Sequence, residues 1–200
     1  MKHILQKLKG GDRRSIGKSG EAVTNVSRNP VLFADLFEGL FDDNPLVRMR
    51  AADAVEKITR ERPELLQPWK RPLLETVSTV QEKEVRWHVA QMLPRLRLSS
   101  GEHEAAVQVL MGYLADGSSI VRTFSMQALA DLAMRDELLL AKVVPLIERL
   151  TQTGTPAMRS RGRKLLKQFG RVTDRRRVPP DAENPPRHRV PAGGPRRQPR

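Results

Sequence analysis

The four histidines of this sequence are His3, His88, His103 and His188. No two of them stand at the His-x3-His or His-Glu-x2-His spacing that would aim two imidazoles at one metal ion. With no cysteine in the chain, a thiolate zinc site, a disulfide framework and a cysteine nucleophile are excluded. His88, between Trp87 and Val89 and close to Arg86, is the one histidine in a cluster with acid–base range; its simpler meaning is a surface residue beside a packing tryptophan. Gly17-Lys18-Ser19 matches the end of a phosphate-binding loop, but Gly-x4-Gly-Lys-Ser/Thr requires glycine at position 12, where Asp12 stands. Gly11 is one residue too far, and no strand-like run precedes the loop to anchor it. Phe33, Phe37 and Phe41, at i, i+4 and i+8, form the stripe of a helix core or cap. The sequence therefore predicts no catalytic site, no cofactor and no metal, and a protein that binds rather than transforms.

The elements that position such residues are helices. Of the 200 residues, 38% are hydrophobic and only 4% aromatic, with Ala, Leu, Val, Met, Glu, Arg and Lys prominent, a mixture that favours helix over sheet. No segment approaches the ~20 consecutive apolar residues needed to span a bilayer, and Met1 to Gly20 lacks a signal-like apolar stretch. The expectation is a cytoplasmic protein.

The net charge of +13 is distributed unevenly. Residues 1–20 carry +5 and residues 157–200 carry +11, which leaves −3 over residues 21–156. From Arg171 onward the chain holds seven of its fifteen prolines and the run Arg175-Arg176-Arg177. Such a segment buries too little to offset its ordering entropy, so the sequence predicts a disordered Arg/Pro-rich tail over 171–200.

A repeat runs through the remainder. The pairs Val47-Arg48, Val85-Arg86, Val121-Arg122 and Met158-Arg159 are separated by 38, 36 and 37 residues. The following helices align in phase. Val55, Leu93, Leu129 and Leu166 hold one slot, Ile58, Leu96, Leu132 and Phe169 another, and Ala51, Val89, Ser125 and Gly162 a slot of small residues that lets helices approach closely. Each helix has an apolar partner before it: Val31 to Phe41, Leu65 to Val80, Glu104 to Leu114 and Glu137 to Leu150. Pro45 and Pro156 fall in first turns, where a missing N–H costs little. Asp116-Gly117-Ser118-Ser119 offers N-caps, and Pro94 predicts a bend or an early end. Ser15 to Val26 reads as a capping half-repeat. The organisation expected is a basic N-terminal segment and capping helix over 1–29, a repeat domain over 30–170 that ends near Gly170, and the tail.

The pattern Asp-x4-Val-Arg-x2-Ala-Ala-x-Ala-Val at Asp42 to Val55, echoed from Asp116 to Leu129, resembles the second half of a HEAT repeat of the armadillo-like superfamily. The resemblance covers about residues 30–170 and implies an all-α, right-handed α-solenoid of about four helical hairpins. It also implies a polar ladder between adjacent repeats from the turn Asp and the Arg six positions later. Asp42 with Arg48 and Asp116 with Arg122 keep that spacing, while Val80 and Thr153 stand where Asp would precede Arg86 and Arg159.

In HEAT-like proteins the second helices line a concave surface. Offsets from the core stripe place Arg50, Asp53, Lys57, His88, Gln91, Arg95, Phe124, Gln127, Asp131, Arg161, Lys164 and Gln168 there. This face is mixed at its start, neutral in its middle and basic at its end, which suits a segment of a partner protein. The principal expectation is an adaptor or scaffold that binds a protein partner. The alternative is a nucleic-acid-binding module that uses Lys7, Lys9, Arg13, Arg14, Arg161, Lys164 and the tail. A third reading by analogy of fold is an alkylpurine DNA glycosylase-like protein acting through Asp53 or Asp131, although neither Trp69 nor Trp87 falls in a concave slot. Phycobilin lyases share HEAT-like repeats too, and no constellation here points to a bilin.

Overall fold

The computed structural model describes residues 3–11 and 15–177, with the side chains of 172–177 excepted. Arg13, Arg14 and the tail beyond 177 lie outside the described residues. Ten α-helices and no strand occur among those described. They are α1 (His3–Gln6), α2 (Ser19–Arg28), α3 (Leu32–Glu38), α4 (Pro45–Glu61), α5 (Lys70–Glu75), α6 (Lys83–Met92), α7 (Ser100–Tyr113), α8 (Ser119–Ala133), α9 (Glu137–Thr153) and α10 (Pro156–Arg177). None of the described helices is long and apolar enough to cross a membrane.

The four helices with the Val-Arg or Met-Arg pairs pack in succession, α4 on α6, α6 on α8 and α8 on α10. The first helices line their other side: α3 packs on α4, α7 on α8, and α9 on both α8 and α10. Between them lies one apolar core. Val47, Val85, Val121 and Met158 are all buried in it, as are Ile58, Leu96, Leu132 and Phe169. Of the other aligned slot Val55, Leu93 and Leu129 are buried, while Leu166 is half-buried beside the buried Leu165. The slot of small residues explains how close the helices come. A Cβ on Gly162 would lie 1.9 Å from Thr151 Oγ1 on α9.

Local chemistry sets the ends. Pro45 and Pro156 begin α4 and α10. Asn44 caps α4 by accepting from the Leu46 N–H at 2.9 Å, Asp136 caps α9 from Leu139 at 3.0 Å, and Ser99 with Glu102 forms a capping box on α7. At α8 the capping residue Ser118 makes no side-chain cap; Asp116 Oδ1 instead accepts from the Ser118 N–H at 2.7 Å.

Two boundaries differ from the sequence expectation, at the helix expected from Leu65 to Val80 and at the end of α10, while the early end at Pro94 follows it. The helix expected from Leu65 to Val80 is a 3-10 segment Pro63–Trp69, the short α5 and a second 3-10 turn Val77–Thr79. Pro63, Pro68 and Pro72 break its hydrogen-bond run. Ahead of Pro94, α6 stops at Met92 and continues as the 3-10 turn Leu93–Arg95. α10 does not stop at Gly170 but runs on to Arg177, because arginine is a good helix former even where apolar periodicity ends.

At the start of the chain Ile4, Leu5 and Leu8 are buried, with Leu5 against Gly39. The N-terminal segment expected to be merely basic thus contributes to the core.

Candidate functional site

Seven of the twelve surface residues expected from the repeat are brought together. Gln91 on α6, Arg95 after it, Phe124, Gln127 and Asp131 on α8, and Arg161 and Gln168 on α10 line one groove of about 500 Å³. Successive parallel helices supply its walls because each presents the same wheel positions to the same side. Its polar groups are already oriented. Arg161 Nη1 donates to Gln127 Oε1 at 3.0 Å, and Gln127 Nε2 donates to Asp131 Oδ1 at 2.8 Å. Gln91 Nε2 donates to the Trp87 carbonyl at 3.2 Å. Burial pushes the Asp131 carboxyl above its ordinary range, against the pull of the Gln127 hydrogen bond and of Arg135 and Arg161.

Arg95 is held in place by α4. Its Nη1 donates to the Glu56 carbonyl at 2.7 Å and to Thr59 Oγ1 at 3.0 Å, and its Nη2 pairs with the Glu56 carboxylate. Arg60 meets the other oxygen of Glu56 at 2.8 Å. The groove therefore begins on a rigid cation. Phe124 supplies the aromatic wall, and its ring meets the Trp87 edge at 5.6 Å between centroids. Trp87, which the repeat does not place in a groove slot, thus supports one from behind.

The other five expected residues stand elsewhere. Arg50 is 2% exposed, not on an open face: its guanidinium donates to the Leu8 carbonyl at 2.8 Å, to Gly10 at 2.5 Å and to Ser15 at 3.3 Å. Asp53, 8% exposed, accepts from Ser19 Oγ at 2.5 Å and from Lys57 Nζ at 2.7 Å. α2 and the segment before it cover this end of α4, so an offset from the core stripe does not mean solvent there. His88 is 5% exposed, and burial lowers its pKa to about 4 against the opposing pull of Asp53 and Glu56. Its Nδ1 has no hydrogen-bond partner among the described residues. Lys57 is half-buried with its amine on Asp53, and Lys164 is exposed on the far side of α10 from the core.

In Gly17-Lys18-Ser19, the glycine and the serine are engaged in structural contacts, while Lys18 is exposed. A Cβ on Gly17, whose φ is +53°, would lie 2.5 Å from the Arg50 guanidinium carbon; Lys18 pairs with Glu21 at 3.6 Å, and Ser19 holds Asp53. Among the described residues no group of three or more His, Asp or Glu side chains is placed to hold a metal ion.

The sequence reading missed Met134 and Arg135, which extend the groove past the end of α8. Arg135 is four residues after Asp131, so continuing the same stripe by one turn would have found it. It also missed a larger open recess of about 1540 Å³ between α7 and α9, bordered by Val107, Met111, Leu138 and Val143. Both walls come from first helices, to which no surface slots were assigned.

No family model matches the chain, and no curated protein matches it. A crystal structure of an engineered protein superposes with a TM-score of 0.57 at 17% identity, over 84% of this chain and 78% of that one. That similarity concerns the helical fold alone.

Proposed function

We propose that this chain is a HEAT-like, right-handed α-solenoid that works as a non-catalytic adaptor, and that the groove between α6, α8 and α10 holds an extended segment of a partner protein. The succession of α4, α6, α8 and α10 contacts at a repeat of 36 to 38 residues supports the solenoid reading.

The observation that carries the binding reading is the amide pair Gln91 and Gln127, standing at equivalent positions of consecutive helices in one groove. A side-chain amide both donates and accepts, as does a peptide unit, so a row of amides on parallel helices reads the backbone of an extended chain. Phe124 offers an apolar contact, and with Arg95 paired to Glu56 the cations Arg135 and Arg161 still outnumber Asp131, so the occupant is a segment with an apolar anchor flanked by acidic residues.

The test is selection of displayed random peptides on the full chain, then binding of the enriched peptides followed through Trp87 fluorescence. Phe124→Ala and Gln127→Ala each weaken the enriched peptides by about tenfold, roughly 1.4 kcal/mol. Peptides that bind both variants as well as wild type would place binding elsewhere and overturn the reading.

A further inference from the structure

The outer face of α10 is strongly basic. From Pro156 to Arg171 the helix contains no acidic residue. Arg163, Lys164, Lys167 and Arg171 stand at i, i+1, i+4 and i+8 and are all exposed, with Arg159 flanking them one turn earlier. Wheel positions put the first four in a stripe about 100° wide. None of the five takes part in an ion pair among the described residues. Elsewhere in the fold many cations are paired, among them Arg48 with Glu82, Lys57 with Asp53, Lys70 with Glu102, Arg86 with Asp116 and Arg95 with Glu56. α10 packs on α8 and α9 through its opposite side, with Met158, Gly162, Leu165 and Phe169. Among the described residues no ion pair uses the cationic side.

We propose that this face of α10 docks on the phosphate backbone of a double-stranded nucleic acid. The five cations extend over about 18 Å of helix at 1.5 Å per residue, and a duplex presents one phosphate per about 1.7 Å of axis. About ten phosphates, counted over both strands, lie along that length of duplex, enough to offer partners to five long, flexible cations. The composition of the face decides against other polyanions. Its remaining residues, Ser160 and Gly170, give no apolar anchor for a protein interface of useful affinity, and no apolar side chain for insertion into an anionic bilayer. It has no aromatic residue on which an unpaired base would stack, since Phe169 is turned into the core. Long, flexible cations without base-reading partners give contacts that follow phosphates and ignore sequence. The inference is independent of the peptide groove, which opens on the side of Arg161 and Gln168.

The experiment measures fluorescence anisotropy of labelled 20-base-pair DNA and RNA duplexes (a length of roughly two helical turns) with the full chain, between about 50 and 200 mM salt. Wild type binds both duplexes, with affinity that falls steeply as salt rises. The triple variant Arg163→Ala/Lys167→Ala/Arg171→Ala loses at least about tenfold at low salt, and its log–log salt slope on DNA is shallower by about 2.7, or 0.9 for each contact removed. The charge-conserving triple Arg163→Lys/Lys167→Arg/Arg171→Lys stays within about twofold of wild type, which separates loss of charge from loss of fold. Phe124→Ala in the groove leaves duplex binding unchanged. The proposal is overturned by an unchanged slope in the alanine triple, which would assign binding to the arginines after 177, or by equal losses in both triples. Tighter binding to single strands of the same length, to poly-glutamate or to phosphatidylserine vesicles than to duplexes would overturn it equally.

Discussion

Arg86 on α6 reaches forward into the next turn and donates to Asp116 Oδ2 at 2.7 Å, while its Nε donates back to the Val80 carbonyl at 2.9 Å. One guanidinium thus ties its own turn to the one that follows. Arg48 does the same a repeat earlier, donating to the Asp42 and Asp43 carbonyls and pairing with Glu82. The ladder therefore needs only a backbone carbonyl six residues before the arginine, and an acid one repeat ahead. Val80 does not break the rung of Arg86, because its main chain does the accepting. The rung that fails is the next one. The turn one repeat ahead of Arg122, Thr153-Gly154-Thr155, contains no acid, and the Arg122 Nε is buried without a hydrogen-bond partner among the described residues.

Removal of Asp116 is expected to cost more than removal of Glu82. Asp116 also holds the Ser118 N–H that starts α8, and its side chain is 9% exposed against 20% for Glu82. Asp116→Ala should destabilise by about 1–3 kcal/mol and Glu82→Ala by about 1 kcal/mol or less, as read from urea denaturation midpoints at constant slope. Equal shifts would contradict the double role of Asp116.

The contact of α9 with α10 depends on a missing side chain. Gly162→Ala places a methyl against Thr151, whose Oγ1 is already fixed by donating to the Ile147 carbonyl at 2.6 Å. Overpacking of this kind costs about 1–3 kcal/mol, against a helix-propensity gain of up to about 1. Gly162→Ala alone should therefore destabilise. Placed on Thr151→Ala, where the obstructing oxygen is gone, the same substitution should be neutral or stabilising. Thermal denaturation of the four proteins measures the reversal of sign, and additive effects would refute the close approach.

The repeat was legible because it is written in apolar side chains at fixed intervals. Val47, Val85, Val121 and Met158 are buried as their spacing requires, and seven of the residues offset from them meet in one groove. The errors fall where a neighbouring segment changes what an offset means. Arg50 and His88 share a slot with Phe124 and Arg161, yet the first two are buried: the residues before α2 and α2 itself cover Arg50 on α4, and His88 stands beside Asp53 and Glu56 of α4 with its ring near Trp87. Nothing in the local pattern of α4 reports that cover. It arises from Ile4, Leu5 and Leu8, apolar residues interspersed with lysines, and from glycines that let the chain bend around a guanidinium. The continuation of α10 was hidden for the opposite reason, since no apolar periodicity marks a helix that leaves the core.

His88 should make the fold sensitive to mild acid. Burial holds its pKa at about 4 in the folded protein, against about 6.5 in an unfolded chain. The unfolded state therefore binds the extra proton first as pH falls. The neutral imidazole's contribution is intact above about pH 6.5 and is lost progressively between about 6.5 and 4. At pH 5 this amounts to about 2 kcal/mol relative to pH 7.5. His88→Gln, which cannot titrate, should lack this part of the pH dependence in denaturation curves at the two pH values. An identical pH dependence in both proteins would show that the imidazole titrates in the folded protein as it does in the unfolded chain.

Arg50 should control the N-terminal segment as a unit. Its guanidinium satisfies the Leu8, Gly10 and Ser15 carbonyls at once, and lysine, with one compact ammonium, cannot reproduce that fork. Arg50→Ala leaves these carbonyls without their charged donor and opens a void against Gly11 and Gly17. A loss of about 3 kcal/mol or more is expected, and Arg50→Lys should recover less than half of it. The segment before α2 should then be released ahead of global unfolding. Limited proteolysis in native buffer should cut Arg50→Ala between residues 9 and 18 at least about tenfold faster than wild type, while α6 to α10 remain protected. The Ser19–Asp53 hydrogen bond decides how far the release spreads. If it anchors α2 together with the buried Ala22 and Val26, cleavage stops at residue 18. Cleavage that extends through residues 19–28 would show instead that α2 is held on α4 chiefly through Arg50.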